Sequence, residues 1–179
     1  MNDAEACYLG LVDRGISRIA LTGDSARGNL ALVLLSIASA GAAGTVPVGA
    51  AVLSPVTDLA LTGESFETRA EADPYFIKSQ VAGLVPTWRE SSEESRGIPP
   101  LRGLAGLPPV SVHVGDDEVL LDDSRRYVER AVAAGVDAEL DIWMGMPHGF
   151  VNSVGNLLAA NEALRAIGAF LTDLMEEVR

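Results

Sequence analysis

The hydrophobic and polar positions along the chain form two kinds of pattern: short apolar runs, and longer segments with apolar residues three or four positions apart. The short runs predict strands at residues 18–22, 48–54, 110–114 and 138–143. The longer segments predict helices at residues 2–14, 29–40, 122–134 and 157–174. Because strands alternate with helices, the pattern predicts an α/β fold in which helices cover both faces of a parallel sheet.

Two segments depart from this regular alternation. Residues 55–109 carry Gly, Pro, Ser and charged residues with only a broken helical pattern at 77–89, which predicts an excursion away from the sheet and possible use as a lid. Residues 138–143 alternate acidic and apolar side chains, which is typical of an edge strand. The chain has 179 residues and no internal repeat, so we expect one domain spanning 1–179.

Composition excludes several classes of protein. Hydrophobic residues make up 48% of the chain and the formal net charge is −12, without any cluster of Lys or Arg, so nucleic acid is not expected as a partner. The single cysteine, Cys7, cannot form an internal disulfide or a multi-cysteine metal site. No apolar run is long enough to span a bilayer, and residues 1–5 do not resemble a signal peptide. We therefore expect a cytoplasmic protein without a membrane partner.

A candidate nucleophile lies in the turn between the first predicted strand and the next helix. The sequence there is Gly23-Asp24-Ser25-Ala26. A sharp strand-to-helix turn of this kind can present a serine hydroxyl at the carboxyl edge of the sheet. The amide of Ala26, at a helix N-terminus, is suited to stabilising an oxyanion. Such a turn can equally cap a helix or bind phosphate, so the motif alone does not decide.

A serine nucleophile needs a general base, and the chain has two histidines. His113 falls inside the third predicted strand, where a buried structural role is expected. His148 falls in a Gly- and Pro-containing loop after the fourth strand, from which it can reach the carboxyl edge of the sheet. Only His148 leaves room for an acid before it in the order serine, acid, histidine, so we expect it to be the base.

The acid that orients the histidine should follow a strand. Five carboxylates follow the third strand: Asp116, Asp117, Glu118, Asp122 and Asp123. The last two open a predicted helix and are interpreted as capping residues. The pattern alone leaves the first three open as candidates.

Three segments together resemble the hormone-sensitive-lipase-like esterases of the α/β-hydrolase fold. Residues 23–30 (GDSARGNL) resemble that family's GDSAGGNL elbow, residues 114–124 its acid loop, and residues 145–150 (GMPHGF) its histidine loop. Within the family, the closest likeness is to monoterpene ε-lactone hydrolases. The resemblance implies a carboxylic ester or lactone hydrolase that works through Ser25, an acyl-enzyme and a Ser–His–acid triad, with a small-molecule substrate and no cofactor.

The resemblance also selects the acid. In the family, the acid stands four residues before the first carboxylate of the next helix, a spacing that Glu118 and Asp122 reproduce. Glu118 is therefore the implied acid, with Asp117 as the alternative. A homodimer formed through strand 138–143 is a further family-level expectation. Two distant histidines do not form a ligand cluster, so no metal is expected.

Two departures from the family pattern stand out. The sequence begins at the helix before the elbow strand, so the His-Gly-Gly-Gly oxyanion loop and several strands have no counterpart, and we expect a domain truncated at its N-terminus. Arg27 replaces a glycine of the elbow; its guanidinium is expected in solvent at the helix start, or else crowding the site.

Two other classes of function remain as alternatives. One is a catalytically impaired fragment or self-associating scaffold, because the strand at 18–22 would be an unprotected edge. The other is a nucleotide-binding α/β module that uses the turn at residues 23–28. That turn does not match G-x-G-x-x-G, and this reading gives Glu118 and His148 no role.

Overall fold

The computed structural model describes residues 2–42, 45–93 and 103–176, with side chains for all of these except residues 2, 42 and 86–93. The strands are β1 (Ala20–Asp24), β2 (Gly49–Leu53), β3 (Val110–Gly115) and β4 (Ala138–Trp143). The helices are α1 (Asn2–Asp13), α2 (Ser25–Ile37), α3 (Ser65–Thr68), α4 (Lys78–Glu93), α5 (Leu121–Ala133) and α6 (Leu158–Glu176). A π-helical turn (Ala38–Ala42) follows α2, and a 3-10 turn (Phe150–Ser153) precedes α6.

The four strands form one parallel sheet in the order β1-β2-β3-β4. Their carboxyl ends therefore meet at a single edge of the sheet, where the loops that leave the strands can converge. Within the described residues, β1 and β4 each pair with one strand, so both are edges of this sheet. The alternating exposure along β4 agrees with the edge strand predicted from its sequence.

Helices pack on both faces of the sheet, as predicted. On one face, Leu35 of α2 and Tyr127 of α5 share a buried cluster with Val52 of β2. On the other face, Ile167 of α6 packs against Leu53. Burying these apolar side chains on both sides is what stabilises a parallel sheet, whose strands expose little of either face to water.

The junction between β1 and α2 differs from its predicted form. The strand runs two residues further than expected, through Gly23 and Asp24, because these residues continue the ladder with β2. The helix begins at Ser25, four residues earlier than predicted. The strand is therefore joined to the helix without an intervening loop.

The excursion between β2 and β3 is built around its own apolar cluster. Its members come from the excursion and from the segment that leaves β3, and include Val56, Phe66, Val81, Val119 and Leu120. The helical pattern at 77–89 corresponds to α4, whereas the short α3 was not predicted. Residues 94–102 of the excursion lie outside the described residues. The described helices include none with both the length and the apolar character required to traverse a bilayer.

Candidate active site

Ser25 occupies a strained backbone position at the end of β1. Its φ angle is 54°, in the left-handed region that non-glycine residues seldom adopt, and it is the first residue of α2. Such strain amounts to about 1–3 kcal/mol and is typical of functional turns. The chain reverses so sharply here that a Cβ on Gly23 would lie 2.4 Å from the carbonyl oxygen of Arg27. Glycine at position 23 therefore permits the turn that presents Ser25.

Arg27 lies in solvent, which was one of the two expectations for it. Its side chain is 79% exposed, and Nη1 donates a hydrogen bond to Oδ1 of Asp24 over 3.2 Å. Helix α2 packs closely against its neighbour at Gly28 instead, where a Cβ would lie 3.1 Å from the Pro55 side chain. The arginine therefore extends into solvent and leaves the tight contact intact.

His148 and Glu118 are in direct contact. The Nδ1 atom of His148 lies 2.8 Å from Oε2 of Glu118. The Glu118 side chain is completely buried, while 12% of the imidazole is exposed. The loops that carry these residues touch through their backbones, because a Cβ on Gly115 would lie 1.9 Å from the Met146 carbonyl oxygen. Glycine at position 115 thus lets the acid loop and the histidine loop meet.

The second oxygen of Glu118 is also hydrogen-bonded. Its Oε1 accepts from the Ser54 hydroxyl at 2.8 Å and from the Gly115 amide at 2.7 Å. A buried carboxylate needs such donors to offset the loss of water. Ser54 was missed by the sequence analysis. Its place immediately after β2, at the carboxyl edge of the sheet, is the signal that could have identified it.

The other acidic residues near β3 have different partners. In the described part of the chain, Glu118 alone bonds to His148. Asp117 is half-buried, and its amide donates to the Met146 carbonyl. Asp116 accepts a hydrogen bond from the Gly145 amide and so joins the two loops.

The prediction that Asp122 and Asp123 cap a helix is wrong. The residue that precedes α5 is Leu120, which has no polar side chain to cap it, and the Asp122 amide in the first turn donates instead to the Ser65 hydroxyl at 3.1 Å. Asp122 accepts instead from the Ser65 amide at 2.9 Å, and Asp123 accepts from the amides of residues 57 and 58. Both carboxylates thus accept from backbone amides of the excursion, which would otherwise lack partners, and not from amides of their own helix.

His113 is a buried structural histidine, as predicted. It is 1% exposed, and its Nε2 lies 3.1 Å from the Ser111 hydroxyl. The Trp143 indole N–H donates to its Nδ1 at 3.2 Å. Burial holds the pKa of His113 below its ordinary value, against the opposing effect of Asp141 and Glu139.

The serine stands at the same sheet edge as the acid–histidine pair without being bonded to it. Among the described side chains, His148 bonds to Glu118 and the Ser25 hydroxyl has no hydrogen bond. In enzymes without bound substrate, the hydrogen bond between a catalytic serine and its histidine is often long or poorly aligned. Ala26 is the second residue of α2, where the backbone N–H has no helical partner.

The excursion carries four aromatic residues, Phe66, Tyr75, Phe76 and Trp88, and one of them lies beside the histidine. The Phe76 ring contacts the His148 ring edge-on, with centroids 4.8 Å apart and planes at 77°. Phe66 is buried in the excursion cluster and Tyr75 is 64% exposed. The side chain of Trp88 lies outside the described residues. Within residues 2–42, 45–93 and 103–176, no three His, Cys, Asp or Glu side chains are grouped as metal ligands.

A parallel sheet with a serine in a strained strand-to-helix turn, and with acid and histidine loops at the same edge, defines an α/β hydrolase. The family model described as the alpha/beta hydrolase fold matches residues 1–152, and the chain belongs to this family.

Comparison with solved structures and curated relatives shows which α/β hydrolases the chain resembles. The chain resembles the crystal structure of an esterase from the bacterial hormone-sensitive lipase family, with 38% identity and a TM-score of 0.89 over 97% of this chain and 59% of that one. It is 34% identical over 172 residues to an esterase of Acinetobacter venetianus, covering 93% of this chain and 56% of the relative. It is 31% identical over 175 residues to an acetyl-hydrolase of Streptomyces hygroscopicus, covering 96% and 58%.

The chain is thus a hormone-sensitive-lipase-like α/β hydrolase, as its three motifs predicted. It spans a little more than half the length of the curated relatives it matches. The particular likeness to monoterpene ε-lactone hydrolases stays a prediction.

Proposed function

We propose that this chain carries the catalytic triad of a carboxylic ester hydrolase, with Ser25 as nucleophile, His148 as general base and Glu118 as the orienting acid. The observation that carries the proposal is the 2.8 Å contact between His148 Nδ1 and a Glu118 carboxylate that is completely buried. A buried carboxylate fixed by further hydrogen bonds is what holds an imidazole in one tautomer and orientation.

The tautomer follows from the donors and acceptors. The ionised Glu118 carboxylate can only accept hydrogen bonds, so Nδ1 of His148 carries the proton. The lone pair on Nε2 is then free to accept the hydroxyl proton of Ser25 as the serine oxygen attacks the ester carbonyl carbon. The positive charge that develops on the imidazole is stabilised by Glu118.

The reaction then proceeds through an acyl-enzyme. The tetrahedral intermediate collapses, the bond to the leaving alcohol breaks, and the imidazolium returns its proton to that alcohol. Water attacks the acyl-enzyme with the same histidine as base, which releases the carboxylic acid and restores the Ser25 hydroxyl. A lactone would open by the same attack, with the alcohol remaining tethered to the acyl group.

The oxyanion that forms on the ester carbonyl needs backbone hydrogen-bond donors. The amide of Ala26 supplies one donor at the start of α2. Since removing one oxyanion donor lowers the rate by about 10²–10³, this amide is expected to contribute strongly to turnover. Because the relatives are called an esterase and an acetyl-hydrolase, esters with short acyl chains are the proposed substrates.

Labelling with a fluorophosphonate tests the proposal without requiring full turnover. The parent chain should gain one label, located by peptide mass spectrometry at Ser25, and Ser25→Ala should abolish it. Ser17→Ala, at an exposed serine before β1, is the matched control and should label like the parent. Folded protein that takes no label, or a Ser25→Ala variant that is labelled as fast as the parent, would contradict the proposal.

A self-associating scaffold of the same fold is the second candidate. The observation in its favour is that β1, like β4, has one strand partner among the described residues. An unpaired edge is a template for pairing with another chain. Light scattering on a gel-filtered sample separates the two: a monomer that labels at Ser25 contradicts the scaffold, whereas large unlabelled oligomers support it. A discrete dimer would instead fit the proposed pairing through β4.

A further inference from the structure

A buried aspartate in the excursion joins two parts of the site that are distant in sequence. Asp73 is 4% exposed. Its Oδ1 accepts hydrogen bonds from the amides of Tyr75, at 2.9 Å, and Phe76, at 3.1 Å. Its Oδ2 accepts from the amide of Val119 at 3.1 Å. One carboxylate thus connects the excursion before α4 with the loop after β3.

Both ends of this connection lie beside the acid–histidine pair. Val119 immediately follows Glu118, so Asp73 fixes the backbone from which the Glu118 side chain extends. Phe76 contacts the His148 ring edge-on, so Asp73 also fixes the ring that borders the imidazole. Other bonds tie the excursion to the same loop, such as that from Arg69 Nε to the Asp116 carbonyl at 2.7 Å. Asp73 differs from them because it bonds to the neighbours of both Glu118 and His148.

We infer that Asp73 is a positioning residue of the triad, which holds Glu118 and the ring of Phe76 in register with His148. This inference rests on the proposed function, although the contacts it explains do not. The excursion then has a role apart from covering the site: through Asp73 it sets the geometry of the acid and the base.

A carboxylate is required because all three neighbours of Asp73 are donors. The three amides at residues 75, 76 and 119 approach from two sides, and each carboxylate oxygen accepts on one side. An asparagine has one acceptor oxygen, and its NH2 group would face a backbone N–H wherever it pointed. Asp73→Asn therefore keeps the side-chain volume but loses either the hydrogen bond from the Val119 amide or those from the amides of Tyr75 and Phe76.

The test uses the imidazole signals of the folded chain in NMR spectra. The chain has two histidines, and His148→Gln assigns which signals belong to which residue. In Asp73→Asn, the ring signals of His148 should shift or broaden while those of His113 stay in place. Asp58→Asn is the matched control, because Asp58 also accepts from two amides of the excursion, but these belong to residues 60 and 62 and not to Val119 or Phe76.

A second variant keeps the test decisive if Asp73→Asn folds poorly. Phe76→Leu removes the ring and keeps the backbone bonds, so it should reproduce the part of the His148 shift that comes from the aromatic ring. The inference is overturned if the His148 signals of folded Asp73→Asn match those of the parent, or if the His113 signals shift as much. If Asp73 had only a structural role, Asp73→Asn would lower the melting temperature but would leave the His148 signals of the folded protein in place.

Fluorophosphonate labelling then connects the geometry to reactivity. Misplacement of a catalytic group by about 1 Å can reduce rates by about 10²-fold, so Asp73→Asn should label Ser25 about ten- to hundredfold more slowly than the Asp58→Asn control. If the parent does not label at all, the proposed function fails while the NMR comparison still decides whether Asp73 positions His148. Displaced His148 signals with an unchanged labelling rate would overturn the catalytic part of the inference.

Discussion

The chain contains two histidine–carboxylate pairs that are built in opposite ways. In the pair on β3 and β4, His113 is 1% exposed and its partner Asp141, 3.4 Å away, is 52% exposed. In the pair at the carboxyl edge of the sheet, Glu118 is completely buried and His148, 2.8 Å away, is partly exposed. The first pair even has a serine nearby, since the Ser111 hydroxyl lies 3.1 Å from Nε2 of His113.

The difference shows that a serine, a histidine and an acid in proximity do not make a triad. The Trp143 indole N–H can only donate, so Nδ1 of neutral His113 must accept and its proton lies on Nε2. That nitrogen donates to Ser111 and cannot take a proton from it. At His148 the buried partner is an acceptor, so the tautomer is reversed and Nε2 is left as a base. The hydrogen-bond partner of Nδ1, a donor at His113 and an acceptor at His148, therefore determines what each histidine can do.

Replacing each histidine in turn is the strongest way to test this contrast. We expect His148→Gln to slow fluorophosphonate labelling of Ser25 by at least about 10³-fold, because the serine loses its base. His113→Gln should change the rate by less than about threefold, since its ring nitrogens bond to Ser111 and Trp143. Circular dichroism should verify that both variants are folded. Equal losses in the two variants would show that the contrast has no functional meaning.

Replacing the carboxylate partner of each histidine should give the same contrast in labelling rate, with a smaller difference. Glu118→Gln keeps the shape but no longer holds the proton on Nδ1 of His148, and we expect labelling to fall by about 10²–10⁴-fold. Asp117→Asn, the alternative acid, and Asp141→Asn should stay within about threefold of the parent. A larger loss in Asp117→Asn than in Glu118→Gln would reassign the acid.

Asp141→Asn also has an expected effect of its own. The charge of Asp141 raises the pKa of His113 against the larger lowering caused by burial. Its removal should therefore move the pKa of His113 still further below 6.5, which an NMR titration of the imidazole signals can measure. An unchanged titration would mean that this exposed carboxylate hardly affects the buried ring.

Much of the framework could be predicted because it depends on local signals. The apolar runs marked all four strands, and β4 was predicted with its observed bounds. Turn residues around His148 and the strand before Ser25 located two candidate site residues, since loops after parallel strands share one edge. The residues alone could not choose among three consecutive acids. The structure places Glu118, which the family resemblance selected, against His148.

The features that could not be predicted depend on contacts between distant segments. Ser54 and Asp73 are polar residues without a motif of their own. Ser54 bonds to Glu118, which lies 64 positions later in the sequence, and Asp73 bonds to Val119, which lies 46 positions later. The early start of α2 at Ser25 depends on pairing between β1 and β2 as well as on local preference. Asp122 and Asp123 were misread for the same reason, because their partners belong to the excursion.

Asp123 offers a last comparison, with Glu118, because both side chains are completely buried. Both oxygens of Glu118 have donors, whereas Oδ1 of Asp123 has no hydrogen-bond partner among the residues that the structure describes. Burial raises the pKa of Asp123 from 3.8 to about 7, even though the backbone amides of residues 58 and 57 lower it. At pH 8 the folded chain therefore contains a buried charge with incomplete compensation.

The consequence is a loss of stability as the pH rises. Between pH 4 and pH 7 folded Asp123 keeps a proton that the unfolded chain has released, so unfolding releases a proton and the free energy of unfolding falls by up to about 1.4 kcal/mol per pH unit. In Asp123→Asn this contribution disappears, because the amide oxygen can accept the two backbone bonds and the neutral NH2 takes the place of the unpaired oxygen. Urea unfolding at pH 5 and pH 8 measures the effect: the parent should lose more stability than Asp123→Asn over this interval. Asp122→Asn, whose side chain is 19% exposed, should follow the parent. If parent and Asp123→Asn changed equally, Asp123 would be ionised throughout the interval, and its burial would be compensated as fully as that of Glu118.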